Sequence, residues 1–282
     1  MIREYYQLAK PGIVFGNAVT AVGGFALASK GHIDPWLLIA TLFGISFIVG
    51  ASCVFNNYMD RMADAKMSRT QKRPLVTGTI STQKALLFGS LLTFLGGATL
   101  ALFANLLSLA LALIGMAVYL GLYTVLKYRT AHCTLVGSIA GGIPPMVGYC
   151  AVSGRIDMGA ILIFLILVLW QMPHFFAIAM YRADEFAAAS IQVLPITRGV
   201  HVAKVQMLLY VAAFLIAATL LTFFGYTGFI YLAAAFLCGF AWLWLAIQGF
   251  KVENEKKWAR KMFVLSLQVI TLLSVMIAID VI

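Results

Sequence analysis

Apolar residues fall in runs of about 20, the length needed to cross roughly 30 Å of hydrocarbon at 1.5 Å per residue, and short polar segments separate them along the whole chain. Nine runs are readable, over 12–29, 36–57, 85–104, 106–126, 133–152, 158–181, 205–224, 227–250 and 262–281, and each predicts a transmembrane helix. No polar linker divides them, so residues 1–282 read as one polytopic unit.

Loop charge orients the runs, because Lys and Arg are retained on the cytoplasmic side. With the N-terminus inside, eighteen of the twenty Lys and Arg residues lie in cytoplasmic segments, and only Lys30 and Arg155 lie outside. A count wrong by one scrambles that split, so the asymmetry supports nine helices and a periplasmic C-terminus. The start imitates a signal peptide: Arg3 and Lys10 precede an apolar run ending Ala26-Leu27-Ala28. Removing it leaves eight helices and breaks the charge pattern, so the first helix is expected to remain.

Composition changes the picture little. The 282 residues are 62% apolar and 11% charged, against roughly a quarter charged in a soluble domain, which excludes a soluble protein. The net charge of +10 points to cytoplasmic loops and anionic lipid headgroups rather than to nucleic acid. Cys53, Cys133, Cys150 and Cys238 are far apart with no metal-ligand spacing, and read as packing residues. Gly23-Gly24, Gly137, Gly141 and Gly142 suit close helix contacts, while Pro144-Pro145 and Pro173 are expected to break or kink their helices.

The candidate chemistry begins where the second run ends. Asn56, Asp60 and Asp64 are spaced i, i+4, i+8, and each step of four drifts only about 40° around a helix, so all three share one face. Two carboxylates and an amide oxygen suit Mg²⁺, which is often held by one or two carboxylates with water and phosphate oxygens completing its shell. A solvated helix end with Asp–Arg pairing gives the same spacing. The basic loop that follows, with Arg69, Lys72, Arg73 and then Pro74-Leu75, favours the metal, since phosphate recognition needs cations beside it.

A second region closes the sixth run: Trp170-Gln171-Met172-Pro173-His174-Phe175-Phe176, then Tyr181-Arg182-Ala183-Asp184-Glu185. His174, Tyr181 and Glu185 fall at i, i+7 and i+11, one helix face, with Asp184 adjacent. An ionisable residue within a span is by default a functional-site hypothesis; its alternative is a neutral His bonded to a neighbouring helix. The two regions echo each other, with Pro74 ten residues after Asp64 and Pro195 ten after Glu185, as in two related halves facing a cavity.

Taken together these residues resemble the UbiA-type intramembrane aromatic prenyltransferases, and within them the branch that farnesylates haem. The resemblance is carried by Lys10-Pro11-Gly12, the Asn56/Asp60/Asp64 face with Arg69-Thr70 and Arg73-Pro74-Leu75, Gly141-Gly142-Ile143-Pro144-Pro145 and Trp170-Gln171-Met172-Pro173-His174-Phe175. It extends to Lys251-Val252 and Trp258-Ala259-Arg260-Lys261, nearly the whole chain.

The resemblance implies an all-α membrane protein of nine transmembrane helices around a central cavity with a cytoplasmic polar cap; the compact loops and the lack of a transit peptide favour a bacterial inner membrane. It implies as substrates farnesyl diphosphate and haem b, which with water give haem O and diphosphate, and as acceptor of haem O a terminal oxidase or haem A synthase. It also implies Mg²⁺ on Asn56, Asp60 and Asp64, and diphosphate beside Arg69, Lys72, Arg73, Lys127 and Arg129. Gln171, His174, Tyr181, Asp184 and Glu185 are expected to be catalytic or to serve the haem side.

Two departures bear on this. Relatives often carry a second Asp-x-x-x-Asp, whereas Asp184 is followed at i+4 by Ala188; the haem branch shares that absence. Relatives tend to have adjacent Lys-Arg after Tyr-Thr, but here Lys127-Tyr128-Arg129 follows Tyr123-Thr124-Val125-Leu126, leaving open which cation faces diphosphate. Prenyl transfer to a quinone-precursor ring predicts the same metal face but usually a second aspartate pair. A transporter gives no reason for the metal face beside a basic loop.

Overall fold

The computed structural model describes residues 2–282, and among them nine helices are long and apolar enough to span a bilayer. They are α1 Pro11–Ser29, α2 Pro35–Asp64, α3 Thr82–Phe103, α4 Leu106–Leu126, α5 Cys133–Ser153, α6 Met158–Tyr181, α7 Val200–Phe223, α8 Phe229–Lys251 and α9 Glu255–Ile279. Neighbours in sequence pack side by side around a ring that α9 closes against α1, and α5 and α6 are the most enclosed.

Helix starts are written in the connecting residues. Asp34, Ser81, Asn105, Asp157 and Asn254 each accept a hydrogen bond from a backbone N–H of the first turn they precede. Such caps satisfy donors that have no partner within the helix.

Two helices outrun their apolar runs. The second run stops at residue 57, yet α2 continues to Asp64, and its 30 residues measure about 45 Å at 1.5 Å per residue. At the other end of the chain α9 begins at Glu255, seven residues before the apolar stretch. Hydropathy marks where hydrocarbon ends, but the backbone ladder continues past it, so both helices carry polar turns beyond the bilayer core.

The prolines do not break their helices. Pro144 and Pro145 lie inside α5 and Pro173 inside α6, and neither helix is interrupted. Both helices are enclosed by neighbours, the circumstance in which the carbonyls a proline frees are tolerated in a membrane. Close backbone approach takes place beside one of them: a Cβ on Gly24 of α1 runs into the carbonyl oxygen of Pro145. The four cysteines are free thiols, three of them buried.

After α2 and after α6 the chain forms matching one-turn helices, Pro74–Thr77 and Leu194–Thr197. The repeated proline spacing therefore has a structural counterpart. The expected single face of His174, Tyr181 and Glu185 does not form. The helix stops at Arg182 (φ −114°, ψ 21°) and restarts as Ala183–Ala188, so the continuous helical register that would carry Glu185 on the face of His174 is broken.

Candidate functional site

Asn56, Asp60 and Asp64 project from the last turns of α2 into one cavity of about 280 Å³, and all three are buried. A cation reaches each of them. Lys10 Nζ donates to Asn56 Oδ1 at 2.7 Å. Lys127 is ion-paired with Asp60, whose other oxygen accepts from the Tyr128 hydroxyl at 2.8 Å. Arg73 Nη1 lies 2.6 Å from Asp64 Oδ2 and 3.0 Å from Asn57 Oδ1.

Local backbone geometry delivers each cation. Lys10 sits between the short helix Ile2–Leu8 and α1 in the left-handed region, φ 53°, a conformation that costs a non-glycine residue about 1–2 kcal/mol. Lys127 follows a segment of α4, Val118–Tyr123, that winds as π-helix. That wider turn sends Tyr119, Tyr123 and Lys127 to the cavity wall; π-segments are frequent at functional sites. Arg73 precedes Pro74, which forces it into extended backbone (ψ 144°), and Thr70 Oγ1 ties the loop back to the end of α2 through Asp64 O at 2.8 Å.

The charges do not cancel. Two carboxylates face Lys10, Lys127 and Arg73, so the inner site carries one excess positive charge, and Arg69 at its rim is balanced by Glu185. Burial lowers the Lys10 ammonium to about 8, because its bonded partner, Asn56, is neutral. Burial and the neighbouring Arg182 pull Arg69 below its ordinary range, and Glu185, 3.6 Å away, opposes them. Burial and the Asp60 charge raise the Tyr128 phenol, keeping it a neutral donor. A buried region with surplus positive charge is a receptor for an anion of higher charge than the carboxylates it already holds.

The donor set also fits a hard divalent ion. Among the described residues no three His, Cys, Asp or Glu side chains gather as a preformed metal cage. Asn56, Asp60 and Asp64 instead offer an amide and two carboxylates, with room left for phosphate oxygens and water, the manner in which Mg²⁺ is usually held.

The remaining sequence candidates divide. Arg69 and Arg73 line the cavity with Lys127, whereas Lys72 and Arg129 are exposed and take no part in its wall. Of the two cations near the end of α4, Lys127 is the one facing the carboxylates. Gln171 is buried against Gly141, where a Cβ would collide with its amide. His174 points to α9, and Phe175 and Ile178 hold the cavity wall on α6. Tyr181 packs on Phe263. Asp184 is exposed and pairs with Lys256 at 2.6 Å.

Sequence reasoning assigned no role to Lys10, Asn57, Tyr119, Tyr123 or Tyr128. Lys10 carried a signal, a lone cation directly before the first apolar run; the tyrosines carried none, because aromatic residues at a helix end are ordinary interfacial anchors.

Comparison with known proteins places this geometry. The family model described as the UbiA prenyltransferase family matches residues 17–267. A protoheme IX farnesyltransferase of Yersinia enterocolitica is 48% identical over 99% of this chain and 95% of its own. One from Protochlamydia amoebophila is 45% identical over 99% of both. Among solved structures, that of a digeranylgeranylglyceryl phosphate synthase superposes with a TM-score of 0.80 at 20% identity, over 98% of each chain. A UbiA homolog from Archaeoglobus fulgidus bound to GPP and Mg²⁺ gives 0.74 at 15% identity, over 98% of this chain and 99% of its own. These two share the fold. The match to most of the chain, the full-length relatives and the nine-helix fold together establish that the chain belongs to the UbiA prenyltransferase family.

Proposed function

We propose that the protein transfers the farnesyl group of farnesyl diphosphate to a vinyl group of haem b, with addition of water, giving haem O and diphosphate. The observation that carries the reading is the near-full-length identity to proteins named protoheme IX farnesyltransferase, joined to a buried polar site with surplus positive charge at the end of an apolar bundle.

Farnesyl diphosphate is anionic at one end and an apolar C15 chain at the other. Lys10, Lys127, Arg73 and Arg69 bind the diphosphate, Lys10 releasing the Asn56 amide oxygen and the other three the carboxylates they occupy in the free protein. Asn56, Asp60 and Asp64 hold Mg²⁺, which supplies Lewis-acid neutralisation of the leaving group. As the allylic C–O bond breaks, its electron pair leaves with diphosphate, and the cationic side chains stabilise the charge that develops there. The vinyl carbon attacks the allylic cation; water adds to the resulting haem-side cation and one proton is released. Tyr119, Tyr123 and Phe175 on the cavity wall exclude bulk water from the first cation. The polar cap faces the cytoplasm of a bacterial inner membrane, with the N-terminus on that side and the C-terminus opposite, and haem O passes to a terminal oxidase or to haem A synthase.

The test uses purified protein in detergent with haem b, farnesyl diphosphate and Mg²⁺, following the haem by mass spectrometry with and without chelator. The expected result is a Mg²⁺-dependent gain of one farnesyl group and one water. Unmodified haem together with prenylation of an added aromatic acid moves the protein to the quinone-precursor branch of the family.

A further inference from the structure

His174 lies in the middle of a polar chain that joins α6 to α9. Its Nδ1 is 2.7 Å from Ser266 Oγ, and Ser266 Oγ is in turn 2.6 Å from the carbonyl oxygen of Phe263. Ser266 is fully buried, and its own carbonyl accepts the indole N–H of Trp170 at 2.8 Å.

The donors and acceptors along this chain assign the protons. A hydroxyl oxygen and a carbonyl oxygen approach to 2.6 Å only with a proton between them, and a carbonyl has none to give. The single hydroxyl proton of Ser266 is therefore committed to Phe263, and toward His174 the Ser266 oxygen is an acceptor. His174 Nδ1 must carry the N–H, and in a neutral imidazole this leaves the lone pair on Nε2.

The ring is held in that pose from several sides. Trp170 stacks on it at 4.6 Å between centroids, Phe263 lies at 5.0 Å and Phe175 meets it edge-on at 5.6 Å. Nε2 has no partner among the described residues, yet it is not sealed by protein atoms as the unpartnered Trp242 indole nitrogen is. An imidazole locked by a hydrogen bond at one nitrogen, with a lone pair left accessible at the other, is the arrangement by which proteins orient histidine as a metal ligand or proton acceptor.

We infer that Ser266 is a positioning residue: through its hydroxyl it fixes His174 in the Nδ1–H tautomer, so that Nε2 serves as an electron-pair donor to the acceptor substrate. The inference rests on the haem reading above for the identity of that acceptor, but the tautomer itself does not. Ser266 touches no reacting atom, and its effect passes through His174.

The test compares wild type, Ser266→Ala and Ser266→Thr labelled with ¹⁵N-histidine. The chain holds four histidines, so a His174→Gln sample assigns the signal. Wild type should show a neutral ring protonated at Nδ1. Ser266→Ala should give a mixture of tautomers and at least a tenfold drop in haem conversion with farnesyl diphosphate affinity unchanged, and Ser266→Thr, which keeps the hydroxyl, should restore both. The absorption spectrum of bound haem b, with and without His174→Gln, separates iron ligation from proton acceptance.

Protonation at Nε2 in wild type overturns the inference whether or not Ser266→Ala folds, as does an alanine variant whose tautomer shifts while turnover stays normal. If wild type modifies no haem, the haem reading fails while the tautomer is still read from the same spectra.

Discussion

Lys127 and Asp60, 67 residues apart in sequence, form a buried ion pair that joins the end of α4 to the last turns of α2. The pair takes two charges out of water, and either charge left alone there is strongly unfavourable. Removing one partner of a buried pair costs about 3–5 kcal/mol, whereas replacing both is often nearly neutral. Lys127→Met and Asp60→Asn should each lower the melting temperature in detergent. The double variant should recover most of the loss yet remain without turnover, because stability needs the charges matched while catalysis needs them present. A double variant melting as low as the two losses summed means the groups are uncoupled, and the swap of cations from carboxylate to diphosphate loses its basis.

The basic residues of the loops do not contribute equally. Arg73 bridges Asp64 and Asn57 within the cavity, while Lys72 and Arg129 are exposed outside it. Arg73→Ala should reduce kcat/KM for prenyl transfer by at least a hundredfold, since it removes a charge-assisted contact and leaves Asp64 unpaired. Lys72→Ala and Arg129→Ala should stay within about twofold of wild type, surface charges being worth little. Steady-state kinetics against farnesyl diphosphate separates the two classes, and a large loss at Arg129 shows that the segment after α4 closes over the substrate.

That contrast also shows what the sequence could carry. Nine helices, the shared face of Asn56, Asp60 and Asp64 and the nearby basic loop were all legible, because hydrocarbon thickness and the 3.6-residue turn are local rules. Which of Lys127 and Arg129 points inward was not, because the π-helical segment at Val118–Tyr123 changes the register without changing the apolar pattern. The break at Arg182 was equally silent, and so Glu185 was expected on the His174 face. The Ser266 contact spans 92 residues, and nothing in the α9 sequence distinguishes that serine from any other small residue in a helix contact.

Close packing of α1 on α5 predicts a sharp glycine effect. A methyl group on Gly24 overlaps the Pro145 carbonyl, which is backbone and cannot rotate aside, whereas one on Gly16 meets no neighbouring atom within 4 Å. Gly24→Ala should destabilise by about 1–3 kcal/mol, the usual penalty for overpacking. Gly16→Ala should be neutral or slightly stabilising, as alanine is the better helix former. Thermal unfolding followed by fluorescence in a single detergent reads both; equal melting temperatures would mean the two helices separate enough to admit the methyl.

Membrane orientation is the remaining expectation open to direct measurement, and it rests on loop charge. Lys30 and Arg155, the two basic residues set apart by the charge split, are both exposed: Lys30 caps the end of α1, and Arg155 lies between α5 and α6 with its side chain 77% accessible. Lys66, exposed just beyond α2, lies at the opposite end of the bundle with the carboxylate site. Retention of Lys and Arg on the cytoplasmic side puts Lys66 inside, and an odd number of crossings separates it from each of the others, one from Lys30 and three from Arg155. Single cysteines introduced at positions 30, 66 and 155 report this, because Cys53, Cys133 and Cys150 are buried and Cys238 is partly covered. A membrane-impermeant maleimide added to intact spheroplasts should label positions 30 and 155, and position 66 only after the membrane is opened. Labelling of position 66 alone in intact cells inverts the topology and moves the diphosphate site to the compartment facing away from the cytoplasm, where a cytoplasmic supply of farnesyl diphosphate does not reach it.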